Sequence, residues 1–246
     1  MVRAIEQQAP NFAPGTRGMY QTSTYWFLCG EIVRRVSGLP LTRYWRREIA
    51  GDPGVELTLD VRDDELPLLS PTVVPDDDPF HGPLNDESLP MGQAWRVLKP
   101  RGGRIDQAAA WNSPATRRNG VSGFGNARGL AALAGIIVTG GRIGTRQVFS
   151  AAMVEAILRP EFAGREELLG VQARLGLAGF LDGGDFRLVN NPRAFFMVGL
   201  GGHIALGDPD RKVTFGFCVN RQEGRPFDQI PPVAAALATI RGMPLG

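Results

Sequence analysis

Histidine, the side chain best suited to moving protons near neutral pH, occurs only twice, at His81 and His203. Neither stands at ligand spacing from the other or from a cysteine, which argues against a zinc site. His203 follows Gly201-Gly202 at the start of an apolar stretch, where packing or a local hydrogen bond is the expected role. His81 lies in a loop-rich region, where a solvated side chain is expected. Asp76-Asp77-Asp78 places three carboxylates in a row but lacks the spacing, glycine and terminal glutamate of a calcium loop, so it reads as a solvated acidic loop. Gly120-Val121-Ser122-Gly123-Phe124 has phenylalanine where a nucleophile elbow needs its second glycine. No phosphate-binding loop is present, and Gly199-Leu200-Gly201-Gly202 is not a dinucleotide fingerprint. No metal and no cofactor are therefore expected. Cys29 and Cys218 form no C-x-x-C pair and sit among apolar residues, so buried thiols are expected in preference to a disulfide.

The elements that must position any chemistry are clearest near the C-terminus. Phe195 to Pro209 reads as a strand, a glycine-rich turn and a second strand, with Asp208-Pro209-Asp210 as the next turn. Lys212 to Asn220 continues as a third strand, because Val213, Phe215, Phe217 and Val219 alternate with Thr214, Gly216 and Cys218. Leu175 to Phe180 predicts another strand. Helices are predicted from near Ser23 to Gly38 (Leu28, Ile32, Val33 and Val36 at helical spacing), from a Thr42 cap through Ile49 before Gly51-Asp52-Pro53-Gly54, and from an Asn126 cap to Gly140-Gly141. Two more run from a Ser150 cap through Leu158 and from Pro231-Pro232 onward, with Val233, Ala236, Leu237 and Ile240 on one side. Nothing ahead of Ala9 is long enough to be a packed element. The order predicts a mixed α/β (α+β) fold, an antiparallel sheet flanked by helices. One domain over residues 1–246 is expected, with residues 55–121 as a loop-rich insertion within it.

The totals bound the function classes. The 27 basic and 25 acidic residues nearly cancel, which excludes the concentrated cation of a nucleic-acid footprint. Lys99 and Lys212 are the only lysines, an arginine bias best explained by a GC-rich genome. No apolar run approaches the ~20 residues of a membrane span, and Met1 to Glu6 is no signal peptide, so a cytoplasmic location is expected.

One resemblance gives the pattern a direction. Pro14-Gly15-Thr16-Arg17-Gly18-Met19-Tyr20-Gln21-Thr22, leading into Gly30-Glu31-Ile32-Val33-Arg34-Arg35-Val36-Ser37-Gly38, resembles the middle motif region of the serine β-lactamase superfamily, closest to its class C-like esterase branch. Gly125-Asn126-Ala127-Arg128-Gly129-Leu130-Ala131 resembles a helix start common in that group. Gly199-Leu200-Gly201-Gly202, Leu206 to Asp210 and Phe215 to Asn220 resemble its third-motif strand and the strand after it. The resemblance implies a β-lactamase/transpeptidase-like fold and hydrolysis of small carboxylic esters or amides through an acyl-enzyme on serine. It also implies roles. Tyr20 would be the proton relay, with Thr22 at the motif's third position as a substrate-binding residue. Met197, Val198 and Gly199 would line the substrate where the family has K/H-T-G, and the Leu200 backbone N–H would be an oxyanion-hole donor.

The set departs from the family in two places. No S-x-x-K occurs: three residues before Lys99 stands Arg96, and three before Lys212 stands Pro209. Met197 and Val198 replace the family's cation and hydroxyl, and a thioether supplies neither charge nor proton. The expectation is a C-terminal portion of such a hydrolase, its N-terminal part missing and the chain inactive alone. The last strand would then show an unpaired edge, the helices around Leu28 and Leu133 would face a void, and a second chain could cover the edge. The alternative is a non-catalytic pseudo-enzyme that binds a small ligand or protein partner in the former cleft.

Overall fold

The computed structural model of the chain describes residues 1–22, 24–50, 54–96, 103, 106–118 and 122–246. The predicted helix start at Ser23, the Gly51-Asp52-Pro53 stop, Lys99 and the Gly120-Val121 pair lie outside the described residues. The chain forms two compact units, one of Met1–Gly51, Thr58–Phe124 and Glu166–Gly170, the other of Asp52–Leu57, Gly125–Arg165 and Val171–Gly246.

The first unit opens with a helical turn at Val2–Glu6 that the sequence does not announce; it buries no residue, which is why it leaves no apolar pattern. Helix α1, Tyr25–Ser37, ends as expected, with Gly38 left-handed at φ 73° and its N–H on the Arg34 carbonyl at 2.9 Å. Arg34 and Arg35 both bind Glu31, so that carboxyl is held down to about 2. Helix α2 spans Leu41–Glu48 and begins one residue before the predicted Thr42 cap. Pro40 sits at the cap in an extended conformation and its carbonyl takes the Tyr44 N–H at 2.9 Å, which draws Thr42 into the first turn. Arg46 of α2 then clamps Asp60 at 2.7 Å and Glu65 at 2.8 Å.

Beyond α2 the described helices are short, at His81–Asn85, Pro90–Trp95, Gln107–Trp111 and Pro114–Arg118. Asp76 and Asp77 are exposed, as a solvated acidic loop requires, but two expectations fail at single residues of this stretch. Asp78 is buried, not solvated: its carboxylate takes the Gln107 side-chain N–H at 2.8 Å and the Phe80 backbone N–H at 3.3 Å, and those bonds replace the water it loses. His81 is half-buried, and its Nδ1 is enclosed with no hydrogen-bond partner among the described residues. Among the described residues no group of three or more His, Cys, Asp or Glu is placed to hold a metal.

The second unit is organised by one sheet. Strands β1 (Phe162–Arg165), β2 (Gln172–Gly176), β3 (Gly179–Leu181), β4 (Phe195–Val198), β5 (Ile204–Asp208) and β6 (Val213–Phe217) form an antiparallel meander in sequence order. The predicted Leu175–Phe180 strand is in fact the hairpin between β2 and β3, where Gly176 pairs with Gly179 and Leu177-Ala178 turn the chain. Strand β1, only four residues long, carries too few alternations to be read from sequence. Strand β6 is shorter than predicted at both ends: Lys212 is left-handed at φ 55° and belongs to the turn, and the strand stops at Phe217.

The register sorts side chains to two faces. Phe180 opposes Phe196, which opposes Leu206, which opposes Phe215; these face helix α5 (Pro231–Gly242) with its buried Val233, Leu237 and Ile240. Phe180 and Phe196 stack with ring centroids 5.5 Å apart, and Phe186 meets both edge-on. On the opposite face Leu181 and Phe195 pack against Ala134 of helix α3 (Ala127–Val138) and Val154 and Leu158 of helix α4 (Ala151–Leu158). Both helices carry the predicted caps: Asn126 accepts the Gly129 N–H at 2.9 Å, and Ser150 accepts the Met153 N–H at 3.2 Å. Helix α3 lies so close to β6 that a Cβ on Gly216 would stand 2.1 Å from the Ala127 carbonyl oxygen. The helix around Leu133 is therefore seated on the sheet and does not face a void. Strand β6 does end the sheet, and no strand pairs its outer edge among the described residues.

Candidate functional site

Tyr20 follows an irregular segment that is fastened at one point. Gly18 forms an isolated bridge with Glu166, the Glu167 N–H donates to the Gly18 carbonyl at 3.0 Å, and the Tyr20 N–H donates to Glu166 Oε1 at 2.6 Å. The same carboxylate accepts the Leu168 N–H at 2.9 Å and the Leu169 N–H at 2.7 Å, and Glu166 is 0% exposed. One buried anion thus takes three main-chain donors, which offsets its loss of water. Sequence reasoning misses Glu166, because Arg165-Glu166-Glu167 has the look of a solvated charge run. Its only signal would have been two flanking residues, Leu168 and Leu169, too apolar for an exposed turn.

Burial, and then the Glu166 charge beside it, push the Tyr20 phenol above its ordinary value. Tyr25, at the start of α1, is pushed up to about 12 by burial, then by its hydrogen bond with Cys29 and the neighbouring Tyr20. Both phenols are neutral at physiological pH. They suit donation of a hydrogen bond or proton, not abstraction of one. Thr22, two residues on, is half-buried.

The third-motif residues lie in the second unit. Met197 and Val198 occupy the end of β4 and point to opposite faces. Val198 packs with the core under α5, whereas Met197 is 38% exposed on the other face. Gly199 donates its N–H to the His203 carbonyl at 2.9 Å, and Gly202 closes a turn onto the Gly199 carbonyl at 3.1 Å. Gly201 holds φ 96° in that turn, where any Cβ would also strike the Gln222 side chain. The Leu200 N–H is used neither by the turn nor by the strand ladder among the described residues. His203 has the local role expected of it: Nδ1 accepts the Val219 N–H at 3.4 Å, and burial pushes its pKa down. Burial raises the Cys218 thiol, and both cysteines are free. Tyr20 and Thr22 belong to the first unit and Met197 to Leu200 to the second, so the two sets of candidate residues are described each within its own unit.

Known proteins resemble this arrangement. A novel penicillin-binding protein homolog from Caulobacter crescentus superposes with a TM-score of 0.72 at 27% identity, over 89% of this chain and 57% of that one. A family VIII carboxylesterase gives a TM-score of 0.75 at 22% identity, over 95% and 60% of the two chains. EstA from Arthrobacter nitroguajacolicus gives 0.78 at 18% identity, over 97% and 64%. The last two likenesses show the fold alone, and the chain spans roughly three fifths of the length of each structure. No curated protein matches the chain. The family model described as Beta-lactamase matches residues 1–240, so nearly the whole chain, from the Tyr20 segment to α5, belongs to the beta-lactamase family.

Proposed function

We propose that this chain supplies the tyrosine-bearing and third-motif parts of an esterase-like serine hydrolase and does not turn over esters by itself. The family match over residues 1–240 carries the reading. Tyr20 would present its neutral phenol to the leaving group, and the Leu200 N–H would donate to the developing oxyanion. Small carboxylic esters or amides are the substrates, reacting through an acyl-enzyme on a serine that these 246 residues do not provide in an S-x-x-K motif. Among the described residues no helix is long and apolar enough to cross a membrane.

The test is a chromogenic short-chain ester and a serine-directed fluorophosphonate offered to the 246-residue chain. Hydrolysis at the background rate and no labelling are expected. Stoichiometric labelling of a serine in this chain would overturn the proposal and reveal a nucleophile outside the usual motif.

A second reading has its own support. Met197 places an exposed thioether where the family has a cation, and an apolar wall favours binding without reaction. Under it, a non-hydrolysed ester analogue or a protein partner would occupy the former cleft. Saturable binding of the analogue by calorimetry, with no turnover even when a serine-bearing segment is supplied, would favour this reading. In both cases the open edge of β6 is a pairing surface for another strand, from a second chain or from further residues of the same protein.

A further inference from the structure

We propose that Glu166 is a positioning residue for Tyr20: one buried carboxylate pins the main chain that carries the phenol and sets a negative charge beside it. The inference rests on the reading of Tyr20 as the relay and adds the group that pins it in place. The geometry is specific. Glu166 Oε1 receives both the Tyr20 and the Leu168 N–H, at 2.6 and 2.9 Å, while Oε2 receives the Leu169 N–H at 2.7 Å. The Gly18–Glu166 bridge and the Glu167 N–H to Gly18 bond hold the same two segments together from the main-chain side. The carboxylate is thus the peg that joins them.

Burial is the larger cause of the raised Tyr20 value and the Glu166 charge adds to it, with Tyr25 as the neighbouring phenol and Cys29 hydrogen-bonded to Tyr25. A negative charge beside a phenol opposes formation of a phenolate, so the arrangement favours a donor of a hydrogen bond or proton. Tyr25 does not supply this charge, since it is neutral over the same range.

The test reads Tyr20 directly. The protein has only three tyrosines, so 13C-labelled tyrosine gives three ring resonances, and Tyr20→Phe identifies one of them. In the unaltered chain the Tyr20 midpoint should lie above that of free tyrosine. In Glu166→Gln, which keeps the Oε1 acceptor but loses the charge, it should fall toward the free value. A midpoint unchanged in a folded Glu166→Gln protein would overturn the proposal. So would a midpoint at or below the free value in the unaltered chain. If Glu166→Gln does not fold, hydrogen exchange of the unaltered chain decides the anchoring role: slow exchange is expected at the Tyr20, Leu168 and Leu169 amides, and fast exchange at all three would refute it. None of these readings depends on turnover, so they stand even where the hydrolase reading fails.

Discussion

Replacing Glu166 by alanine would leave three main-chain N–H groups enclosed without acceptors. At about 1–3 kcal/mol for each stranded donor, partly relieved by entering water, the expected loss is about 3–5 kcal/mol, measurable as a lower urea midpoint. Acid should act on Glu65, whose carboxyl is lowered to about 2, first by its hydrogen bond with Arg46. A depressed folded value means stability fully present above the unfolded value near 4.5 and lost as pH falls toward 2. Thermal melts at falling pH should therefore drop less steeply in Glu65→Gln than in the unaltered chain. Alkali acts with the opposite sign on Tyr25. Its raised value means stability present below pH 10 and lost as pH climbs toward 12, and Tyr25→Phe should flatten that decline. The sequence singles out Tyr20 as a candidate, through the motif around it, and none of these three residues. Glu166 and Asp78 stay hidden because burial of a carboxylate depends on which distant N–H groups reach it, and no local pattern encodes that.

At the scale of elements, legibility follows local chemistry. Asn126, Ser150, Gly38 and Pro231 mark helix ends correctly because a cap acts within three or four residues of itself. The β2–β3 hairpin escapes notice because Leu177, its exposed turn residue, reads as one more apolar position of a strand. Core strands gain most from the stacked rings. Phe196 is almost wholly enclosed between Phe180, Phe186 and Leu206, and Phe196→Ala should cost about 3–5 kcal/mol by denaturant titration. Helix α1 is the contrary case. Ile32 and Val36 are 63% and 84% exposed, so this part of its apolar stripe follows the helical period yet stays in solvent. Lysine at both positions should shift stability by no more than about 0.5 kcal/mol while reducing binding of a hydrophobic dye. A large loss of stability would show that the stripe is already packed.

For the whole molecule, the likeness to longer structures and the open edge of β6 point to the same expectation. Sedimentation velocity at rising concentration should show reversible self-association through that edge. The fold class was readable because strands and helices at the C-terminal end are strongly patterned. The two-unit arrangement was not, since Glu166–Gly170 joins residues over a hundred positions earlier in the chain. That division also partitions the chromophores. Trp26, Trp45, Trp95 and Trp111 all fall in the first unit, as do Tyr20, Tyr25 and Tyr44, whereas the ring cluster of Phe180, Phe186, Phe196 and Phe227 falls in the second. Intrinsic emission is then a gauge of one unit and strand dichroism chiefly a gauge of the other. Two ordinary optical traces, recorded on a single sample during one titration, follow the two halves of the protein separately and without any label.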